Sequence, residues 1–306
     1  MEIENPHDKF FKETFSDVDV TKDFLNHYLP AGLVEKVNLD TLETQKDSFV
    51  TKKLAEYYSD LLFKAELGDE PSYFYFLFEH KSYPSNDIIL QLYRYLGEIF
   101  TAKMDKEKQT EIPIVIPLVM YHGERKWNAP ISLHEIISGE TKDEPDVKKY
   151  IPNFEYLLFD FSHWSDEEVR GHAILRAYLM VVQAIYETDM ERFIERLVQI
   201  LLYMKELGES TRAIDYIRTM MRYVYSTQRN MKEADMEKVV NQLEKTYPEG
   251  SKIVMTLAER YIEKGKIEGK EEAQLEIASE LLALGIPVKQ IVKATGLSKA
   301  EVEKLK

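Results

Sequence analysis

A carboxylate and an ammonium stand two positions apart at the end of an apolar run: Glu79 and Lys81 in YFYFLFEHKS, residues 73–82. In a strand, residues i and i+2 project from one face. A core strand gains nothing from charges placed there. A turn signal, Gly68-Asp69-Glu70-Pro71, precedes the run, and a second apolar segment precedes the turn. A hairpin centred between Asp69 and Glu70 opposes Leu67 to Ser72, Ala65 to Phe74, Phe63 to Phe76 and Leu61 to Phe78, which makes one face apolar. Its other face opposes Leu62 to Leu77, Asp60 to Glu79 and Tyr58 to Lys81. Carboxylates directly across a hairpin hold their Cβ atoms about 4.5–5.5 Å apart and repel. A divalent cation offsets that repulsion, because hard cations take carboxylate oxygens. Lys81, one step along the same face, then reaches a metal-bound water or a phosphate. A bulge would displace this register by one residue. The plainer alternative ends the strand at Phe78 and leaves Glu79 and Lys81 as solvated charges at its mouth.

The surrounding elements must hold that hairpin. Residues 8–29 read as helix, interrupted near Ser16-Asp17 and closed by Pro30. Residues 33–56 mix strand-like and polar pieces and leave the assignment open. Strands are expected at about 57–67 and 72–82, then a helix over 87–104 with Ser85 and Asp87 as candidate caps. Apolar strands follow at 112–123 and 154–162. From Ser165, which forms a capping-box pattern with Glu168, helical periodicity runs to the end. The first half is therefore α/β or α+β, and the second is all-helical. Boundaries near 163–166 and within 263–274 give three expected parts: 1–163, 164–264 and 265–306.

Composition narrows the partners. The chain has 306 residues, 44% hydrophobic and 11% aromatic, enough for a sizeable core. A net charge of −14 repels phosphate backbones at long range, which argues against broad nucleic-acid coating. A local basic groove or a metal reverses that field locally. With no cysteine, disulfides, thiolate nucleophiles and Cys-based metal sites are excluded, which fits a reducing cytoplasm. The sequence shows no signal-peptide pattern and no apolar stretch of the roughly 20 residues that a membrane span needs.

An Asp, then Glu-x-Lys on the next strand, then a helix carrying Gln, is the layout of PD-(D/E)XK nucleases. Here these are Asp60 in YYSDLLF, Glu79 and Lys81 in FLFEHKS, and Gln91 in LQLYRY. More specifically, the chain resembles the Rpn family of recombination-promoting nucleases, also described as YhgA-like transposases. The matching stretches are HDKFFKETF, SFVTKKLAEYYSDLLFKAEL, YFLFEHKS, LQLYRYLGEIF and IPLVMYHGERKW, within residues 7–127. The resemblance implies a restriction-endonuclease-like core, helices flanking a mixed sheet, followed by an all-α region. It implies a DNA endonuclease linked to recombination or mobile DNA, using Mg²⁺, with Mn²⁺ or Ca²⁺ as alternatives. Asp60 and Glu79 would bind the metal, Lys81 would orient or deprotonate the attacking water, and Gln91 would support the site. The proline that opens the motif's name is absent, since Ser59 precedes Asp60. Duplex DNA is the implied partner, with a homodimer through the helical region or tail. The competing readings are a non-catalytic DNA- or protein-binding module on the same fold and an RNA nuclease using the same residues. A transposase in the strict sense is least favoured, because nothing in the sequence holds two DNA ends.

Other residues carry weaker signals. His7, Asp8, Lys12 and Glu13 cluster at the start of the first helix, where Asp8 also suits plain capping; the resemblance raises a metal role for Glu13. Tyr95 and Glu98 share a helical face with Gln91. In VMYHGERKW, Tyr121 and His122 either approach a phosphate or form a structural pair at a strand end, with Arg125 and Lys126 as backbone contacts. Arg212, Arg218, Arg222 and Arg229 suggest a basic helical face, while the Met and Tyr stripes of that region read as core. The tail, 281–306, has the rhythm of a helix-turn-helix, but KAEVEKLK offers no Arg, Asn or Gln for base contacts. It reads as an accessory element for self-association or protein contact.

Overall fold

The interrupted first helix is two helices, α1 (Pro6–Phe15) and α2 (Val18–Tyr28). The computed structural model describes residues 5–45, 61–68, 70–105, 108, 111–208, 210–228 and 231–305. The break falls at the expected place because the Asp17 carboxylate accepts from the Asp19 N–H and starts α2 anew. Phe10, Phe11, Thr14 and Phe15 are buried along one stripe of α1.

Among the described residues, five strands form one sheet in the order β1 (Val37–Thr44), β2 (Leu61–Leu67), β3 (Glu70–Lys81), β4 (Ile114–Tyr121) and β5 (Leu157–Asp160). The β1–β2 and β2–β3 pairs are antiparallel, and β3–β4 and β4–β5 are parallel. The β2–β3 register is the expected one from Leu61↔Phe78 to Glu66↔Tyr73. At the turn it differs, since Leu67 pairs with Glu70 and not Ser72. A register shift after Glu66, with Gly68 at φ 52°, tightens the loop there. Strand β1 falls within the stretch whose assignment was open. Its own register shift between Asn38 and Glu43 puts buried Leu39 and Leu42 three apart, which breaks the alternation of a regular strand.

The parallel β3–β4 pair requires a crossover, supplied by α3 (Ile88–Asp105). Alternation then sorts the side chains. Phe74, Phe76, Phe78, Leu118 and Met120 join α1 and α2 in a large buried cluster. Leu77 and Val119 pack on the other face with Ile88, Ile89, Leu92, Tyr95 and Ile99 of α3. Ser165 does bond the Glu168 carboxylate, but the chain only turns there. The next long helix, α4 (Ala173–Ala184), starts later, where Asp23 of α2 accepts from the His172 N–H.

Helices α5 (Met190–Tyr203), α6 (Thr211–Thr227), α7 (Glu233–Glu244) and the start of α8 (Pro248–Ala283) complete the large cluster. Phe10 stacks on Tyr223 of α6 at 4.3 Å, so packing is continuous from the sheet to the helical half. The far end of α8 packs separately with α9 (Val288–Thr295) and α10 (Lys299–Glu303) around Ala278, Ile291, Leu297 and Val302. No helix among the described residues is long and apolar enough to cross a membrane.

Three histidines lie where α1 meets the ends of β3 and β4. His80 stacks on Phe11 and on His122, with ring centroids 5.1 and 4.8 Å apart. His122 lies 5.1 Å from His7, whose Nδ1 meets the Tyr223 hydroxyl at 2.9 Å. Burial holds the His7 and His80 imidazoles below their ordinary range and pushes His122 down to about 3. Both ring nitrogens of His122 are buried without a hydrogen-bond partner of good geometry among the described residues. The unfolded chain takes up a proton at these histidines near pH 6.5, whereas folded His122 does so only near 3. Stability should therefore fall as pH drops below about 6.5, by up to about 1.4 kcal/mol per pH unit for each such histidine. Urea unfolding at about pH 7.5 and pH 5 checks this: the midpoint should drop at the lower pH, and His122→Phe should reduce the drop. A midpoint indifferent to pH in that range would contradict it.

Candidate functional site

Glu79 and Lys81 end β3 on the face that looks at α3, while His80 between them looks at α1. The loop from Ser82 to Asp87 is short enough that Gln91, in the first turn of α3, meets both. The Lys81 ammonium donates to Glu79 Oε1 at 2.9 Å and to Gln91 Oε1 at 3.0 Å. The Gln91 amide donates to Glu79 Oε1 at 3.1 Å and to the Tyr95 hydroxyl at 2.6 Å. Tyr95 is one turn further along the same face of α3. Glu98, a third expected member of that face, is not among the residues around the pocket.

Glu79 is 4% exposed, and its Oε2 is buried with no hydrogen-bond partner among the described residues. An ionised oxygen withdrawn from water and left unpaired is strongly unfavourable. Glu79 lines a cavity of about 370 Å³, which also takes in Asn5, Asp8, Tyr83, Asp87 and Arg94. Among the described residues, three carboxylates, Asp8, Glu79 and Asp87, thus line the cavity with two cations, Lys81 and Arg94. The Ser85 hydroxyl bonds the Asp87 carboxylate and holds its pKa below the usual range, so Asp87 stays charged. A phosphate entering this cavity meets more negative than positive charge unless a cation accompanies it.

The donor set suits a hard divalent cation, since Glu79 Oε2 is a carboxylate oxygen, of the kind such ions take, with no partner among the described residues. Among the described residues, no three His, Asp or Glu side chains come together at metal-binding geometry. Asp60, the expected second ligand, lies outside the described residues; Leu61↔Phe78 is the last described pair before it.

Other expectations are redirected. The α1 carboxylate at the cavity is Asp8, paired with Lys12 at 3.2 Å. Glu13 instead pairs with Arg222 of α6 at 2.6 Å, in a separate small pocket. The helical arginines form no free basic face among the described residues. Arg212 is held by Asp17 and Asp19, Arg218 by Asp215 and Arg222 by Glu13, while Arg229 lies outside the described residues. Tyr121 is buried, with its hydroxyl donating to the Arg125 carbonyl, and a Cβ on Gly123 would fall 2.2 Å from that hydroxyl. His122 belongs to the buried histidine group. Tyr121 and His122 are thus structural, and exposed Arg125 and Lys126 lie outside the cavity. Sequence reasoning missed Arg94 and Tyr83. Arg94 follows Gln91 by three, the i+3 neighbour on a helix face, whereas Tyr95 and Glu98 are the i+4 and i+7 neighbours.

The sequence model of the YhgA-like transposase family matches residues 5–212. The C-terminal helix-turn-helix domain of the Rpn/YhgA-like nuclease family matches residues 271–306, which contain α9 and α10. The chain is 27% identical to the recombination-promoting nuclease RpnA of Escherichia coli (strain K12), over 97% of this chain and 96% of that protein. It is 27% identical to the recombination-promoting nuclease RpnD of Escherichia coli O157:H7, over 83% of this chain and 93% of RpnD. It is also 26% identical to RpnE of strain K12, named an inactive recombination-promoting nuclease-like protein, over 97% of this chain and 96% of RpnE. No solved structure matches the chain. The protein belongs to the YhgA-like transposase family and carries the C-terminal helix-turn-helix domain of the Rpn/YhgA-like nucleases.

Proposed function

We propose that this protein is a metal-dependent endonuclease that hydrolyses DNA phosphodiester bonds in a recombination-linked process. The observation that carries the reading is the buried Oε2 of Glu79, which has no partner among the described residues, beside Lys81 and Gln91. Glu79 and Asp60 are the proposed ligands of Mg²⁺, with Mn²⁺ or Ca²⁺ as substitutes. Such an ion supplies charge neutralisation at the phosphate and a more acidic bound water. Lys81 would orient or deprotonate the attacking water and hold charge on the phosphate. Gln91 locks the other two by bonding Glu79 and Lys81 at once. Residues 1–163 are assigned the chemistry, 164–264 its helical support, and the 265–306 tail a part in DNA contact or pairing of two copies. Two copies would place one site on each strand.

A second reading has a specific observation behind it: RpnE, a relative of similar identity, is named inactive. On that reading the fold serves as a DNA- or protein-binding module. Supercoiled plasmid cleavage with Mg²⁺, Mn²⁺ or EDTA separates the two. The wild-type protein should cut only with metal, and folded Lys81→Ala and Asp60→Asn should lose at least about 100-fold in rate. Equal cutting by all three proteins would assign the activity elsewhere, and no cutting together with no metal binding would favour the binding module. Parallel single-stranded DNA and RNA substrates decide between DNA and RNA. Gln91→Leu, which keeps Glu79 and Lys81 but removes their shared partner, should lower the rate about 10- to 100-fold. A wild-type rate in Gln91→Leu would remove Gln91 from the site.

A further inference from the structure

Two residues at the mouth of the cavity have no part in holding Glu79, Lys81 and Gln91 together. Tyr83 leads off the loop that joins β3 to α3, lines the cavity, and leaves 66% of its surface in water. Arg94 lies one turn beyond Gln91 on α3, is exposed, and lines the same cavity. Among the described residues it has no ion-pair partner, unlike the helical arginines of α6. Its charge acts on Asp87, as does that of Lys81, so both cations border the same space.

The reacting groups are recessed, with Glu79 4% and the Lys81 side chain 14% exposed. A phosphate in an intact duplex belongs to a stiff, stacked rod, and lowering it into a recess requires local distortion. The cost is least where a base is already unpaired or unstacked. An exposed aromatic ring at the rim returns part of that cost, because any base can stack on it.

We propose that Tyr83 and Arg94 form a nucleotide subsite beside Glu79 and Lys81: the Tyr83 ring stacks on an unpaired base next to the cut, and the Arg94 guanidinium takes the adjoining phosphate. The preferred substrate is then DNA with a bulge, mismatch or single-stranded nucleotide at the cleavage point. This deepens the endonuclease reading and rests on it.

The test measures binding apart from cutting. Lys81→Ala protein with Mg²⁺ is titrated, by fluorescence anisotropy, onto a labelled duplex and onto the same duplex carrying a single-nucleotide bulge. The bulged duplex should bind about tenfold more tightly. Tyr83→Ala in that background should abolish the preference, and Tyr83→Phe should keep it. Arg94→Ala should weaken both duplexes and lower the salt dependence of binding. In otherwise wild-type protein, Tyr83→Ala should slow cleavage of the bulged duplex through KM more than kcat. Tyr83 is exposed, so its replacement should leave the circular dichroism spectrum unchanged. Equal affinity for both duplexes, or a bulge preference that survives Tyr83→Ala, overturns the subsite. If the preference depends on Tyr83 but wild-type protein cuts nothing, the subsite stands as a binding site and the nuclease reading alone fails.

Discussion

A carboxylate taken out of water must be compensated, and Glu79 is compensated on one oxygen. Its Oε1 receives the Lys81 ammonium and the Gln91 amide, while Oε2 receives nothing from the described residues. Removing a charge from water is expensive enough that a half-satisfied carboxylate persists only where the surroundings enforce it. Three features enforce it here. Strand alternation turns Glu79 and Lys81 to one face. Parallel pairing with β4 extends through Glu79↔Val119 to Lys81↔Tyr121 and fixes the strand end. Helix α3, buried through Ile88, Ile89 and Leu92, cannot withdraw Gln91 without opening its own core.

The opposite face carries the mechanical load. Phe78 contacts Phe15, Phe24 and Phe63 with ring centroids 5.4–6.1 Å apart, which ties the site strand to α1 and α2. Aromatic pairs of this kind add about 0.5–1.5 kcal/mol beyond their buried area. His80 continues the same face into the histidine group and rests on Phe11. A residue between two site residues therefore serves packing, and its neighbours serve the cavity, because a strand separates them by one peptide. The helical half closes over α1 through Tyr178, Tyr216 and Tyr223, so the first helix is clamped from both sides.

The hairpin was legible because its apolar alternation admits a single register, and a one-residue slip would bury the charged face. Gln91 was legible because a short loop brings the first turn of a crossover helix back to the strand it leaves. Strand β1 was not, because a register shift destroys the alternation that marks a strand. The partners of charged side chains were also hidden. Glu13 and Arg222 lie 209 positions apart, and Asp17 and Arg212 lie 195 apart, so nothing local shows that they neutralise each other. The same holds for Asp8, a cavity residue that reads locally as an ordinary helix-start carboxylate. The capping box at Ser165 formed its hydrogen bonds without a helix following it, since local side-chain bonding does not require the next turn to be helical.

Whether Glu79 Oε2 is a metal ligand is open to direct measurement without any DNA. Thermal unfolding of the wild-type protein and of Glu79→Gln, each with and without Mg²⁺ or Mn²⁺, isolates that oxygen. Binding to the folded state raises the midpoint by mass action. The account predicts a metal-dependent rise in the wild-type protein that is absent in Glu79→Gln. An equal rise in both proteins, or none in the wild type, would contradict it.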